Sequence, residues 1–287
     1  SMERQMRNVS MIYHETEHGT IYCGDSLDVL KSMADESVDC CITSPPYDNL
    51  REYKGYSFDF EGIANQLFRI IKQGGVIVWI VGDATVNGSE TGTSFRQALY
   101  FKEIGFNLHD TMIYEKDAIS FPDSHRYQSQ FEYMFVLSKG KPLTFNPIKI
   151  KSQYRADNKF VSDRTKSGIT EKKRIVSISS MRTRGNVWKY AVGYNKSTSD
   201  KIAFQHPAIF PEQLAIDHIL SWTNEGDTVL DCFFGSGTTG KCALKYNRRY
   251  IGIDISEEYC AIAAKRIDSE LQQTNIFMGL SAQRSNK

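Results

Sequence analysis

The sequence predicts an α/β fold in which helices cover a largely parallel sheet, and three observations carry that expectation. Short apolar, β-rich runs alternate with longer amphipathic runs along most of the chain. One apolar run ends in a pair of prolines and another in a glycine-rich turn, so strands stop where ligand sites of open α/β sheets lie. With 287 residues, 40% of them hydrophobic and 12% aromatic, the chain can build one large core, with or without a smaller insert.

In chain order the expected elements are as follows. A polar N-terminal arm, 1–19, has no signal-peptide core. The strand Thr20–Cys23 leads into a helix over Ser26–Met33, and the run Val38–Thr43 is a buried strand closed by Pro45 and Pro46, which forbid both helix and ladder pairing. Amphipathic helices over Gly62–Lys72 and Ser94–Glu103 bracket the strand Val76–Val81, and strands follow at Leu108–Tyr114 and Glu132–Leu137. The alternation resumes with a helix over Pro211–Trp222, the strand Thr228–Phe233, a helix over Thr239–Leu244, the strand Tyr250–Ile253 and a helix over Glu257–Arg266. The polar tail after Ser269 is expected to fray.

Between these stretches the pattern breaks. Residues 143–205 are basic and polar with scattered aromatics, too long for a plain connection, and are expected to form a functional insert. From Lys149 to Lys201 there are 14 Lys or Arg against 4 Asp or Glu, an excess of 10, while the whole chain is only +1. The remainder is therefore near −9, an asymmetry that points to a basic face built onto a neutral-to-acidic enzyme body. A solvated basic loop would show the same composition.

No apolar run reaches the eighteen residues of a membrane span. The 6 cysteines form no C-x-x-C pair and sit in strand-like surroundings, so reduced core thiols of a cytoplasmic protein are expected, with no metal site.

The clearest unit is TVLDCFFGSGTTGKCALKYNRRYIGIDIS. A strand ends near Asp231, Gly235 and Gly237 let backbone approach a ligand, a helix N-terminus favours an anionic group, and Asp254 closes the next strand as a candidate ribose acceptor. The spacing Gly235-x-Gly237-x-x-Gly240 also fits a dinucleotide site. A P-loop nearly fits, but Cys242 replaces the hydroxyl that would ligate magnesium. A tight turn with no ligand is the plain structural reading.

The second unit is VDCCITSPPYDNL. Its plain reading is a rigid turn with an exposed tyrosine. Its chemical reading concerns an exocyclic base amine, whose lone pair is delocalised into the ring. Acceptors placed around the NH2 group, such as the Ser44 hydroxyl and the Pro45 carbonyl held by Pro46, can free that lone pair, and Tyr47 offers a face for a flipped base.

Asp-x-Phe-x-Gly-x-Gly-Thr-Thr from Asp231 strongly resembles motif I of the DNA amino-methyltransferases, and Ser44-Pro45-Pro46-Tyr47 resembles their catalytic motif IV. IYCGDSLDVL resembles motif III, FEYMFVLSKG motif VIII and HPAIFPEQLA motif X. Their order is the permuted one of the β-group, with the catalytic half first, and the matches run from about Thr20 to about Arg266. The resemblance implies a Rossmann-like S-adenosylmethionine-dependent methyltransferase with a largely parallel seven-stranded sheet. It divides the chain into an arm (1–19), a catalytic half (20–142), a target-recognition insert (143–205) and a cofactor-binding half with its tail (206–287).

By the same resemblance, Asp25, Thr43, Ala208, Phe210, Asp231, Phe233, Gly235, Ser236, Gly237, Thr238 and Asp254 would hold S-adenosyl-L-methionine. Asp25 would meet the adenine, Asp254 the ribose, and Thr238 the carboxylate or the turn. Phe210 departs from the lysine common at its place. Ser44, Pro45, Pro46 and Tyr47 would be the catalytic set, acting by direct transfer with no covalent intermediate. The implied substrate is double-stranded DNA, contacted by Arg51, Lys172, Lys173, Arg174, Arg182 and Arg184; many members of the family also pair with a restriction endonuclease. Ser at the first motif IV position favours cytosine N4, and adenine N6 is the alternative. A nicotinamide-dependent oxidoreductase, a non-catalytic DNA-binding protein and an RNA substrate are the remaining readings. The chemistry needs no histidine base, because the amine proton can leave to water, and His125 and His206 read as structural or surface residues.

Overall fold

Nine strands pair into one mixed sheet, and its strand order fixes where a ligand can sit. The computed structural model describes residues 11–46, 59–117, 125–152, 159–175, 179–192, 197–198, 200, 202–203 and 211–285. The sheet strands are β1 (Ile12–Thr16), β2 (Gly19–Cys23), β3 (Val38–Thr43), β4 (Ile71–Val81), β5 (Asn107–Lys116), β6 (Phe131–Ser138), β7 (Val187–Tyr190), β8 (Thr228–Asp231) and β9 (Arg249–Asp254). The helices are α1 (Ser26–Ser32), α2 (Phe60–Ile70), α3 (Thr93–Glu103), α4 (Glu212–Trp222), α5 (Thr238–Lys245) and α6 (Glu257–Ser285).

The sheet order is β1-β2-β9-β8-β3-β4-β6-β5-β7. The pairs β2/β9, β9/β8, β8/β3, β3/β4 and β5/β7 are parallel; β1/β2, β4/β6 and β6/β5 are antiparallel. Seven strands therefore share one direction, and only β1 and β6 oppose it. The expected seven strands form the centre, and two more extend the edges. One edge strand, β1, comes from the segment expected to be a polar arm. The other, β7, comes from within the expected insert.

Local chemistry explains the helix starts. Asp25 caps α1 by accepting the Asp28 amide at 3.2 Å, and Asp59 caps α2 by accepting the Gly62 amide at 2.9 Å. In α2 the residues Ile63, Ala64, Leu67 and Ile70 recur at helical spacing and are buried against the sheet. This helix was expected to reach Lys72. It ends at Ile70 because Ile71 turns extended and pairs with Val38, while Lys72 reaches Asp39 at 2.7 Å. The strand β8 is shorter than expected, since Cys232 and Phe233 already belong to the turn. The last helix is longer: α6 continues to Ser285, through the stretch expected to fray.

The central strands are buried on both faces, with Cys40, Cys41, Ile42, Ile77, Val78, Trp79 and Ile80 fully enclosed. Trp79 donates its indole N–H to Gln97 at 2.8 Å and meets Phe60, Phe101 and Phe233 edge-on.

The chain divides into two compact units, 1–146 with 186–287, and 147–185. The smaller unit is narrower than the 143–205 segment read from composition. Trp188 and Tyr190 belong to β7 and pack into the larger unit, where Trp188 lies 4.7 Å from the His218 ring and Tyr190 donates to Asp217 at 2.7 Å. The smaller unit contains two antiparallel ribbons, 149–151 with 181–183 and 159–164 with 170–175.

Candidate active site

From β8 the chain returns through α5 to β9 on one side, whereas β3 proceeds through α2 to β4 on the other. The direction of winding reverses between β8 and β3, so the crevice at their carboxyl ends is the topological switch point where open α/β sheets bind ligands. Both motifs read from the sequence end there. Asp231 is the last residue of β8, Thr43 the last of β3, and Ser44 and Pro45 follow immediately.

Asp231 joins them. Its Oδ1 accepts the Thr43 hydroxyl at 2.6 Å and the Phe233 amide at 3.1 Å, and its Oδ2 accepts the Thr239 hydroxyl at 2.7 Å. One carboxylate therefore ties the proline loop, the glycine turn and the first turn of α5 together, across 188 residues of sequence. Asp231 is 2% exposed, and burial lifts its pKa to about 6 despite the three hydrogen bonds that favour the anion.

The turn itself is backbone architecture. Gly235 and Gly237 are left-handed, at φ 50° and 78°. The Gly235 amide donates to Asp254 Oδ2 at 2.8 Å, and the Ser256 amide donates to Asp254 Oδ1 at 2.8 Å. Asp254 thus spans the turn and the start of α6. Both of its oxygens accept backbone N–H groups there. Ser26 at the start of α1 donates to the Cys232 carbonyl at 2.6 Å, which brings the end of β2 beside the turn. Asp25, next to it, is exposed, and Phe233 is half-buried.

Beneath the turn lies a cluster that sequence reading missed. Arg266, 2% exposed, donates through Nη1 to the Ser236 carbonyl at 2.8 Å, the Ser236 hydroxyl at 3.2 Å and the Thr238 hydroxyl at 3.0 Å. Its other nitrogens reach Glu212 at 2.7 Å and Asp200 at 3.0 Å, and Lys241 reaches the same two carboxylates at 2.9 and 2.7 Å. The hydrogen bonds from the two cations hold Asp200 below the usual carboxylate range against its own burial. The Ser236 and Thr238 hydroxyls therefore face Arg266. An anion at the start of α5 would meet backbone N–H groups rather than those hydroxyls.

The structure brings together Asp25, Thr43, Ser44, Pro45, Pro46, Asp231, Phe233, Gly235, Ser236, Gly237, Thr238 and Asp254 at one end of neighbouring strands. Tyr47, Arg51, His206, Ala208 and Phe210 lie outside the described residues. Lys172, Arg182 and Arg184 lie in the smaller unit, as do positions 173 and 174. Thr239, Ser26 and Arg266 were not anticipated. Thr239 stands in the glycine motif, but its partner, Asp231, is only evident in three dimensions.

A proline loop and a glycine turn joined at a switch point define a Rossmann-like enzyme of the permuted kind, and comparison with known proteins fixes the family. A family model described as DNA methylase, covering the N6 and N4 enzymes, matches residues 38–265, so the chain belongs to that family. It is 57% identical over 241 residues to the orphan methyltransferase M.BamHII of Bacillus amyloliquefaciens, covering 83% of this chain and 91% of the relative. It is 28% identical over 258 residues to the DNA adenine methyltransferase YhdJ of Escherichia coli (strain K12), covering 88% and 83%. Among solved structures, the cytosine-N4-specific PvuII DNA methyltransferase superposes with a TM-score of 0.64 at 24% identity, covering 88% of this chain and 86% of that one. A DNA modification methylase from Thermus thermophilus, complexed with S-adenosyl-L-methionine, gives 0.60 at 22% identity, covering 87% and 93%. These two likenesses bear on the fold.

Proposed function

We propose that this DNA methylase transfers a methyl group from S-adenosyl-L-methionine to the exocyclic amine of a base in a specific duplex sequence, cytosine N4. The observation that carries the proposal is the Asp231 bridge, which sets Ser44 and Pro45 beside the glycine turn. Membership of the family supports the reaction. S-adenosyl-L-methionine is the cofactor, and when bound it supplies an electrophilic methyl group on a sulfonium sulfur. The residues present fit it: two left-handed glycines clear the turn, Asp254 and Asp25 stand at adjacent strand ends, and α5 presents its N-terminus.

The protein's own work is positioning. The Ser44 hydroxyl and the Pro45 carbonyl accept hydrogen bonds from the amine and draw it toward a tetrahedral geometry. Pro46 fixes the direction of that carbonyl, a form of preorganisation. Tyr47 stacks on the flipped base, a contact worth about 1–3 kcal/mol. Asp254, Asp25 and the glycine turn would hold the cofactor, which would supply its methyl group to the freed nitrogen lone pair, and the amine proton would leave to water. Phe233 packs edge-on against Trp79 behind the turn. Arg51, Lys172, Lys173, Arg174, Arg182 and Arg184 serve the DNA. The choice of cytosine rests on Ser44.

The test is methyl transfer to unmethylated bacterial DNA, followed by nucleoside mass spectrometry. N4-methylcytosine is expected. N6-methyladenine would keep the mechanism and overturn the base. Calorimetry should show binding of S-adenosyl-L-methionine and none of NAD. Tyr47→Ala should abolish transfer while cofactor affinity stays within about twofold, because stacking acts on the base alone. Wild-type turnover in that variant would remove the role given to the loop.

A further inference from the structure

The ribbon of the smaller unit, Lys159–Arg164 with Thr170–Ile175, carries an inference that rests on the reading of the protein as a DNA methyltransferase. Its register pairs Ser162 with Lys172 and Arg164 with Thr170. Residues directly opposite one another on an antiparallel pair share a face, as do residues two apart along a strand. Ser162, Arg164, Thr170 and Lys172 therefore form one face, and all four are exposed. The alternate register pair is 163 with 171, where the sequence has Asp and Glu. Both acids thus take positions of the other face, together with Lys159 and Lys173, and neither acid shares the face of Arg164 and Lys172.

The hairpin end fits the same use. Thr165 donates its amide to the Ile169 carbonyl at 2.8 Å, Gly168 donates back to the Thr165 carbonyl at 2.9 Å, and Gly168 adopts φ 83°. Arg164 Nε reaches the Gly168 carbonyl at 3.3 Å, so its guanidinium is held along the ribbon. Lys166 is exposed in the turn, and Ile169 is 63% exposed at its end. Neither Arg164 nor Lys172 meets a carboxylate among the described residues.

We propose that this ribbon enters the major groove of duplex DNA with the Ser162–Arg164–Thr170–Lys172 face toward the bases, and that Arg164 and Lys172 read the O6 and N7 acceptors of guanine. Three features support it. A two-stranded ribbon fits a groove about 12 Å wide. The face offers donors where guanine offers two acceptors, and the acids sit where they would not oppose them. Thr170 and Ile169 add apolar groups of the kind that meet a thymine methyl. Arg164 thereby becomes a specificity residue that composition alone did not single out among the 14 basic residues of the region.

The experiment compares the wild type with Arg164→Ala/Lys172→Ala, each assayed on unmodified DNA and on the same DNA made with 7-deazaguanine, which lacks the N7 acceptor. The wild type should lose about tenfold or more in kcat/KM on the modified DNA, the factor for one good base contact. The double variant should be about as weak on unmodified DNA and lose little further on the modified one. Glu171→Ala, from the other face, should keep the wild-type response. Cofactor binding by calorimetry, unchanged in all variants, excludes misfolding as the cause. An equal further loss in the double variant and the wild type would overturn the assignment, as would full activity of the double variant on unmodified DNA. No transfer by the wild type to any DNA would overturn the methyltransferase reading itself, and is distinguishable because it needs no variant.

Discussion

Asp231 accepts hydrogen bonds from Thr43, Thr239 and the Phe233 amide, yet burial still makes its ionisation costly. Its folded pKa, about 6, lies above the ordinary aspartate value of 3.8. Stability that favours the neutral acid is therefore present below pH 4 and lost as pH rises through about 6. Replacing Asp231 with Asn removes the titration. The variant's melting temperature relative to the wild type should climb from pH 4 to pH 6 and then level off. The difference between plateaus is on the order of 2–3 kcal/mol. A pH-independent gap would show that Asp231 titrates normally. The identity of this residue was legible from the strand-then-glycine pattern. Its partners were not, because Thr43 sits 188 residues away and no local spacing encodes that contact.

At the scale of elements, the glycine turn and the cluster below it act as one support. Gly237 is left-handed, and a Cβ there would stand 2.7 Å from Ala263 Cβ. Gly88 is equally left-handed, with nothing within 4 Å. Gly88→Ala should cost about 1–2 kcal/mol from backbone conformation alone. Gly237→Ala should cost about 1–3 kcal/mol more from overpacking, and should weaken cofactor binding. Comparable urea midpoints for the two variants would show that α6 yields freely. Glu212→Ala leaves buried Arg266 and Lys241 sharing Asp200, and should destabilise by about 3–5 kcal/mol. Denaturant titration checks this, with Glu212→Gln expected to retain part of the loss. The elements themselves were largely readable, since enclosed strands such as Val38–Thr43 are continuous apolar runs. The two edge strands were not. In β1 no residue is fully buried, and β7 has only four residues, with Trp188 and Tyr190 alone turned inward in a basic stretch. The end of α6 was misjudged because a polar composition was read as fraying, whereas the helix continues from a well-packed first half.

For the whole molecule, charge is sorted along the chain. The larger unit carries the crevice, and the smaller one, 147–185, carries the exposed Lys149, Lys151, Arg164, Lys166, Lys172 and Arg182. Arg182→Ala with Arg184→Ala should weaken DNA binding and reduce the slope of log affinity against log salt by about 1–2, without changing cofactor affinity. Equal slopes in a salt titration would place the phosphate contacts elsewhere. The charge excess was legible from counting alone. Its arrangement on ribbons was not, because strands of three to six residues leave little periodic signal in a polar sequence.

The strand order has a consequence for how the chain is made. In the sheet, β9 and β8 lie between β2 and β3, so the first 146 residues contain a sheet with two strands missing from its middle. During synthesis these residues leave the ribosome with the facing edges of β2 and β3 open until residues 228–254 emerge. Unpaired edges invite association between chains. The central pairing must also wait for contacts nearly 190 residues apart, which makes it slow. A nascent chain halted near residue 200 should therefore be captured by chaperones or aggregate, and completing it should release a protease-resistant sheet in one late step.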